Sequence, residues 1–336
     1  MLNSLYVTTN GTYLSRQRET LVAKCDGRVL LQIPISTLEN VTCFGNVMAS
    51  PPLIGLCCEQ GVGLAFLSEH GRFIARIEGS ASGSSILRTA QYRGADDPKT
   101  CNEISRAIIG AKISNCRKVL QRASRKETSS PALGIADGRL RRLVAKTGKV
   151  DNLDSLRGLE GEAASIYFGV FNHLLSADSG FNFATRSRRP PMDPINALLS
   201  FFYVLLTNEI ASALSAVGLD PGVGFLHKLR SGRHSLALDI VEEFRAMFAD
   251  RLALRLVNRR QLSTKDFKTT ASGACQMSDA ARKTVLEAYQ KRKQEGLVHP
   301  FLQERISLGQ FFHVQARLMA KFLRGDLDAY PPVYWT

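Results

Sequence analysis

The sequence has few of the residues that build zinc-rich or disulfide-bonded domains. It contains six histidines and seven cysteines in 336 residues, and the cysteines are scattered, with no Cys-x-x-Cys pair. Zinc knuckles and disulfide frameworks need paired spacings. We therefore expect no structural zinc array, and we expect reduced, mostly buried thiols of the kind found in cytosolic proteins.

Signals for membranes and for common nucleotide sites are also missing. Residues 1–6 lack the basic and apolar regions of a signal peptide. The most apolar run, residues 197–206, is about half of the ~20 residues that a membrane-spanning helix needs. No Walker loop, dinucleotide fingerprint or Gly-x-Ser-x-Gly motif occurs, which argues against NTPase, Rossmann and esterase functions. The sequence predicts a cytoplasmic protein with no membrane partner.

Positive charge is in excess and is unevenly distributed. Lysine and arginine number 44 against 30 acidic residues, which gives a net charge of +14. Residues 86–150 alone carry 15 basic and 5 acidic side chains, a local excess of +10, whereas residues 1–85 are neutral. Charge this concentrated repels itself unless an anion offsets it. Nucleic acid is therefore favoured as a partner over the alternative of a solvated basic face.

Serines and threonines lie among these basic residues, as in surfaces that bind phosphate groups without reading bases. A second basic stretch follows at 228–233. The candidate DNA-binding residues are Arg88, Arg93, Arg117, Lys118, Arg122, Arg230 and Arg233.

The length and the periodicity predict an α+β protein of two domains. Residues 1–78 form a small β-rich, sandwich-like domain, because short runs of β-formers alternate with turn dipeptides such as Asn-Gly and Asp-Gly. Residues 79–85 are a Gly/Ser linker. Residues 86–336 form a larger all-α domain, since apolar residues recur there at helical spacing.

Several elements within these domains are predicted individually. Hairpins are expected over 20–33 and 62–77, and a short helix is expected over 51–58. Residues 194–217 are apolar on nearly all sides, so we expect a central buried helix that ends at Gly218.

The first candidate for chemistry is Glu160, on a helix whose apolar stripe includes Leu156 and Ala163. Glu160 lies close to that stripe, and a carboxylate held partly out of water needs a compensating cation. The alternative is an acidic helix start that satisfies the helix dipole, with Asp154 or Ser155 as its cap. That alternative explains the exposed Glu162 well and Glu160 poorly.

The second candidate segment joins His227 to a helix that carries Asp239 and Glu242. The two acids are three residues apart and are expected to project together, away from the apolar face. Glu243 is expected nearer the apolar edge, paired with a base. A lone histidine beside an apolar stretch is usually structural, and His234 is the competing histidine. Together, one imidazole and several carboxylates suit Mg²⁺ or Mn²⁺ better than zinc.

Three strings, in this order, resemble one family. They are Leu-Arg-Gly-Leu-Glu-Gly-Glu-Ala-Ala at 156–164, Gly-Phe-Leu-His at 224–227 and Leu-Asp-Ile-Val-Glu-Glu-Phe-Arg at 238–245. The chain resembles, over essentially its whole length, the CRISPR-associated spacer-acquisition integrases, the catalytic Cas-one family. The resemblance implies that Glu160, His227 and Glu242 bind the metal, and that Asp239 is the adjacent acid of the same catalytic site.

The resemblance also implies an activity and partners. The β-rich domain would mediate formation of a homodimer, and a small second CRISPR-associated subunit would bridge two dimers. The helical domain would bind double-stranded and branched DNA, and the 3′-hydroxyl of a short DNA fragment would attack a phosphodiester at the repeat array. The same site would nick or cleave DNA. Two alternatives stay open: a metal-dependent repair nuclease for branched DNA, and a basic DNA-binding protein without turnover.

Overall fold

The computed structural model describes residues 3–69, 71–77, 85–125 and 130–335. The chain divides into two compact units, residues 1–84 and residues 85–336. The predicted linker at 79–85 lies outside the described residues except for Ser85, which begins the first helix of the second unit.

The described residues of the first unit form two four-stranded sheets and one α-helix. Its elements are β1 (Asn3–Val7), β2 (Tyr13–Gln17), β3 (Thr20–Cys25), β4 (Arg28–Pro34), β5 (Leu38–Phe44), β6 (Met48–Ala49), α1 (Pro51–Glu59), β7 (Gly63–Leu67) and β8 (Phe73–Ile77). The strand orders are β1-β5-β7-β8 and β4-β3-β2-β6. Parallel pairs join β1 to β5, β5 to β7 and β2 to β6.

The local predictions in this unit are confirmed. Strands β3 and β4 form an antiparallel hairpin around Asp26 and Gly27, whose φ angles of 49° and 76° match the primed turn that Asp-Gly favours. Strands β7 and β8 form the second predicted hairpin. Helix α1 begins at Pro51, and the Ser50 side chain caps it by accepting from the Leu53 N–H.

Both sheets bury residues in one core, so the predicted sandwich-like arrangement is confirmed. Val41 comes from one sheet, Leu14 and Leu21 come from the other, and Leu53 comes from α1; all four are 0% exposed. Burying an apolar side chain of this size stabilises the fold by about 1.5–3 kcal/mol. This shared core is what holds the two sheets and α1 together.

The second unit is mostly helical. Its elements are α2 (Ser85–Asp96), α3 (Pro98–Ser124), α4 (Pro131–Thr147), α5 (Leu153–Gly169), α6 (Pro194–Ala216), α7 (Ser235–Phe244), α8 (Arg251–Asn258), β9 (Phe267–Thr269), β10 (Cys275–Met277), α9 (Asp279–Gln294), β11 (Gly296–Val298), β12 (Arg305–Ser307) and α10 (Leu308–Leu323). The predicted fold class is confirmed, with one refinement. Strands β9–β10 and β11–β12 form two hairpins that the expected all-α domain did not include, because strands of three residues are too short to show a period of two.

Cap residues explain where the helices begin. Asp97 and Asp193 accept hydrogen bonds from the first turns of α3 and α6, and each is followed by a proline at the first helical position. Helix α5 is capped by Asn152, which accepts from the Ser155 N–H at 2.8 Å. The expectation of Asp154 or Ser155 as the cap was therefore wrong, because the helix begins earlier, at Leu153.

Helix α6 is the central buried helix that the sequence predicts. By length and composition it could cross a membrane, but 72% of its most apolar window is buried inside the unit, as in the core helix of a globular fold. The chain leaves it through Gly218, whose φ of 89° favours glycine. Helix α3 packs against α5 and α7, and this contact brings together the residues of the candidate site.

All seven cysteines are free thiols, and five of them are buried. Their burial agrees with the expectation of mostly buried cysteines.

Candidate active site

Two acidic side chains and one lysine meet where α3, α5 and α7 pack together. The Lys112 ammonium, on α3, forms an ion pair with the Glu160 carboxylate of α5. Its Nζ also lies 2.7 Å from Oε2 of Glu242, on α7. The Glu242 side chain is almost fully buried, whereas the Glu160 side chain is 27% exposed. The site is therefore buried on the α7 side and opens toward solvent beside Glu160.

Arg245 provides a second cation for Glu242. Its guanidinium pairs with Oε1 of Glu242 and lies 4.8 Å from the centre of the Tyr203 ring. Arg245 begins a π-helical segment, Arg245–Asp250, that joins α7 to α8. Such widened turns occur frequently at functional sites. Here the widened turn directly follows the helix that carries Glu242.

His227 reaches the same site from the loop that precedes α7. Its Nδ1 lies 2.6 Å from Oδ1 of Asp239, and its Nε2 lies 3.9 Å from Oε1 of Glu242. Because Asp239 engages Nδ1, the ring presents Nε2 toward Glu242. Glu160, His227 and Glu242, which are far apart in the sequence, thus converge on one site.

Asp239 also fixes the backbone of the His227 loop. It is 0% exposed, and its carboxylate accepts hydrogen bonds from the N–H groups of Phe225, Leu226 and His227 at 2.7, 3.0 and 3.0 Å. A buried carboxylate is stable when several such donors surround it. Asp239 therefore acts on the site through the position of His227.

The charges of the lysine and the two glutamates depend on one another. Burial opposes ionisation of Glu242, but the cations Arg245 and Lys112 outweigh it and lower its pKa to about 2. Burial also opposes the charge on Lys112. The negative charges of Glu242 and Glu160 outweigh this effect of burial, so the pKa of Lys112 is raised. The site is thus a set of charges that is stable only when its members are paired.

Asp239 and Glu242 both lie next to the His227 ring, Asp239 at Nδ1 and Glu242 on the Nε2 side, and Glu242 also pairs with Lys112. One expectation about α7 requires correction. Glu243 does not pair with a base: its carboxylate accepts from the Tyr330 hydroxyl, the Gln315 amide and the Val333 N–H. Burial outweighs these neutral donors and raises the pKa of Glu243 to about 7.

Lys112 and Arg245 were not predicted as site residues from the sequence. Lys112 lies between Ala111 and Ile113, in a helix whose other basic residues suggested DNA contact, so no local pattern separated it from them. Arg245 belongs to the Glu-Glu-Phe-Arg string and lies three residues after Glu242, a spacing at which helical side chains interact. That spacing was the signal in the sequence from which the Arg245–Glu242 pair could have been predicted. The competing His234 is half-buried at the start of α7.

Comparison with known proteins identifies the family of this chain. Residues 5–291 match the family model described as CRISPR associated protein Cas1. The chain is 46% identical to the CRISPR-associated endonuclease Cas1 1 of Chlorobaculum tepidum over 99% of its own length and 98% of the relative. It is 48% identical to the CRISPR-associated endonuclease Cas1 2 of Rhodospirillum rubrum, over 100% of this chain and 99% of the relative. The chain belongs to the Cas1 family.

The fold of a solved family member agrees. The structure of a CAS1 protein from Thermotoga maritima superposes with a TM-score of 0.85 at 24% sequence identity, and covers 98% of this chain and 99% of that one. The Cas1 fold thus extends over both units of the chain.

The candidate DNA-binding residues of this Cas1-family chain differ in their availability. Arg93, Arg122 and Arg230 are exposed. Arg117 is paired with Asp137 at 3.0 Å, and Arg88 donates to the Gly218 carbonyl at 3.2 Å. The remaining two, Lys118 and Arg233, are half-buried. Part of the positive charge counted in residues 86–150 therefore neutralises acidic groups within the Cas1 fold, with Lys112 as the most buried example.

A glycine beside Asp239 gives a first test of how tightly the Cas1 site is built. A Cβ added at Gly224 would lie 2.6 Å from Oδ2 of Asp239 and 2.7 Å from the Ser235 backbone carbon. We expect Gly224→Ala to destabilise the second unit by about 1–3 kcal/mol, to lower the melting temperature by several degrees and to reduce nuclease activity. Gly134→Ala, where a Cβ meets nothing within 4 Å, is the control and should not destabilise. Equal melting temperatures for both variants would contradict the close contact.

A buried acid near the Cas1 site gives a pH-dependent prediction. Asp250 is 1% exposed and accepts from the Tyr203 hydroxyl at 2.7 Å. Burial raises its pKa to about 6, against the opposing effects of Tyr203, Tyr167, Arg186 and Arg245. The folded protein therefore holds this proton more tightly than the unfolded chain does. This contribution to stability is complete below about pH 4 and is lost as the pH rises through 6.

Asp250→Asn should remove that pH dependence, because the amide does not ionise. Relative to the unmodified protein, the variant should gain up to about 2–3 kcal/mol between pH 4.5 and 7.5. Melting temperatures of both proteins at the two pH values, with metals chelated, measure the difference. A variant whose relative stability falls over that interval would contradict a raised pKa for Asp250.

Proposed function

We propose that this chain is a divalent-metal-dependent DNA endonuclease and strand transferase of CRISPR adaptation, which inserts short DNA fragments into a repeat array. The observation that carries the proposal is the convergence of Glu160, His227 and Glu242 on a position that already attracts a cation. Membership of the Cas1 family, whose relatives are named endonucleases, supports the class of reaction.

The residues at this site fit a divalent cation. Oε2 of Glu242 is buried and lies 2.7 Å from the Lys112 ammonium; because a carboxylate oxygen can accept more than one contact, it retains acceptor capacity. His227 has one ring nitrogen bonded to a carboxylate and the other directed to the site, as metal-binding histidines usually do. Among the described residues, no three His, Cys, Asp or Glu side chains are already placed to hold a metal ion; the lysine lies between the two glutamates instead.

Glu160, His227 and Glu242 would hold the metal, and hard carboxylate oxygens with one imidazole favour Mg²⁺ or Mn²⁺. When bound, such an ion polarises a phosphoryl oxygen and stabilises charge on the departing oxygen. Asp239 accepts the Nδ1–H of His227 and so keeps Nε2 available. Arg245 fixes the rotamer of Glu242 by occupying Oε1. Exposed arginines such as Arg93 and Arg230 would bind the DNA backbone largely independently of sequence.

The remaining proposals come from the family resemblance. The β-rich unit would form the homodimer, a small second CRISPR-associated subunit would bridge two dimers, and the protein would work in the cytoplasm on double-stranded and branched DNA. Residues of the first unit such as Val29, Leu30 and Met48 are more than half exposed. Exposed apolar residues on a sheet are the kind of surface that a dimer would cover.

The test is strand transfer and nicking of branched DNA with Mg²⁺ or Mn²⁺, with and without the second subunit. His227→Ala and Glu160→Gln should lose both reactions and keep DNA affinity. A branched-DNA repair nuclease would nick without integrating, even with the second subunit present. A basic DNA-binding protein would show neither reaction. Full activity of the His227→Ala variant would remove His227 from the mechanism.

A further inference from the structure

Lys112 occupies an unusual position for a lysine. Its side chain is 9% exposed, and it lies in the middle of α3, among residues that are fully buried. In the described part of the chain its ion-pair partners are the two carboxylates Glu160 and Glu242. A lysine is buried at this level only when acidic groups compensate its charge.

The same two carboxylates are the proposed metal ligands. A divalent ion bound by Glu160 and Glu242 would need the oxygens that now contact the Lys112 ammonium. An ammonium and a divalent ion placed together on these carboxylates would repel each other at short range. The ammonium and the metal therefore compete for one position.

The other nearby cation is held differently. Arg245 pairs with Oε1 of Glu242 and also stacks near the Tyr203 ring, and its planar guanidinium has a fixed geometry. The Lys112 ammonium is a point charge on a flexible four-carbon stem, and Glu160, its more exposed partner, borders solvent. Of the two cations, Lys112 is thus the one that can leave.

We propose that Lys112 is a built-in counter-cation of the metal site, which a divalent ion must displace in order to bind. This inference rests on the proposed metal ligands. In the absence of metal, Lys112 neutralises the two carboxylates and keeps the packing of α3, α5 and α7 intact. During loading, its displacement weakens metal binding, so this side chain determines the metal concentration at which the site fills.

The first experiment compares Mn²⁺ binding by isothermal titration in the full-length protein and in Lys112→Met, which removes the charge and keeps much of the volume. We expect the variant to bind Mn²⁺ at least about tenfold more tightly, because no ammonium has to be displaced. We also expect a lower melting temperature without metal and a larger rise on adding Mn²⁺. Equal or weaker Mn²⁺ binding by the variant would overturn the proposal.

Lys293→Met is the matched control. Lys293 is 1% exposed and pairs at 2.7 Å with Glu209, which is not a candidate metal ligand. This control should also lose stability, but its Mn²⁺ affinity should equal that of the unmodified protein. A similar gain of Mn²⁺ affinity in both variants would show that losing any buried lysine is sufficient, and would overturn the specific role of Lys112.

A second measurement uses the unmodified protein, so it is decisive even if Lys112→Met does not fold. Acetylation of individual lysines is followed by mass spectrometry with and without Mn²⁺. Displacement should raise the labelling rate of Lys112 severalfold and leave Lys293 unchanged. An unchanged Lys112 rate at saturating Mn²⁺ would refute displacement.

Failure of this inference can be told apart from failure of the proposed function. If Glu160→Gln and His227→Ala bind Mn²⁺ as the unmodified protein does, the metal site itself is wrong. If these two variants lose Mn²⁺ binding and Lys112→Met shows no increase in Mn²⁺ affinity, the metal site is supported and only the counter-cation role of Lys112 is refuted.

Discussion

Asp239→Asn is expected to lower nicking and strand-transfer activity about 10–100-fold, and Mn²⁺ affinity by a similar factor, although Asp239 is not a proposed metal ligand. The carboxylate accepts four hydrogen bonds, three from the backbone of 225–227 and one at Nδ1 of His227. An asparagine offers one oxygen and one NH₂ group. The NH₂ group would face N–H donors, and the loop would have to move.

This substitution should also cost stability. Hydrogen bonds to a charged group contribute about 1.5–3 kcal/mol each, and a buried donor left without a partner costs a similar amount. We expect the melting temperature to fall by several degrees as well. Isothermal titration with Mn²⁺, melting curves and a nicking assay on one preparation measure the three effects together.

Asp220→Asn is the control for loop structure alone. Asp220 accepts from the Gly222 N–H at 2.7 Å and from the Tyr92 hydroxyl at 3.1 Å, and these contacts do not involve His227. The Mn²⁺ affinity of the Asp220→Asn variant should stay within a factor of about two of that of the unmodified protein. Loss of Mn²⁺ affinity in Asp220→Asn but not in Asp239→Asn would show that another group orients His227.

The sequence predicted the composition of the site better than its electrostatics. The periodicity of α5 placed Glu160 near the apolar stripe, and the motif strings brought His227 and Glu242 to the same site. Both signals can be read along the chain, because helical spacing is local and the motifs follow one another in a fixed order. The division into a β-rich and a mostly helical unit follows from the same signals.

The partners of each charged side chain were less predictable. That Asp239 binds the loop, that Glu242 binds Lys112 and that Glu243 binds neutral donors depends on which helices pack together, and no periodicity encodes this. Lys112 shows the difficulty most clearly: its sequence neighbourhood is that of a basic helix, yet it is buried against acids more than 40 positions away. Net charge therefore overstated the cationic surface available to DNA.

Asn115→Ala is expected to have the largest effect on stability among the substitutions outside the candidate site. Asn115 is 0% exposed on α3. Its amide donates to the carbonyls of Glu243 and Val333 at 2.8 and 2.9 Å, and its oxygen accepts from the Trp335 N–H at 2.8 Å. One side chain thus joins α3, α7 and the segment after α10.

Removing this amide leaves three buried backbone groups without their partners, at about 1–3 kcal/mol each. The guanidinium groups of Arg122 and Arg251 lie 3.7 and 4.4 Å from the centre of the Trp335 ring, and the Trp335 backbone loses its hydrogen bond to Asn115. We expect a loss of about 3–5 kcal/mol. For a unit of this size that corresponds to a fall in melting temperature on the order of 10 °C.

Trp335 also supplies the readout, because it is the one tryptophan in the sequence. Its emission should shift to the red in Asn115→Ala as the ring becomes solvated, before global unfolding. Asn102→Ala is the matched control, since Asn102 is also buried on α3 and, within the described residues, its side chain makes one long hydrogen bond, to the Val150 carbonyl at 3.4 Å. It should lower stability by at most about 1 kcal/mol and leave the emission unchanged. Equal melting temperatures for the two variants, or an unshifted emission in Asn115→Ala, would mean that Asn115 does not hold the 330–335 segment against α7.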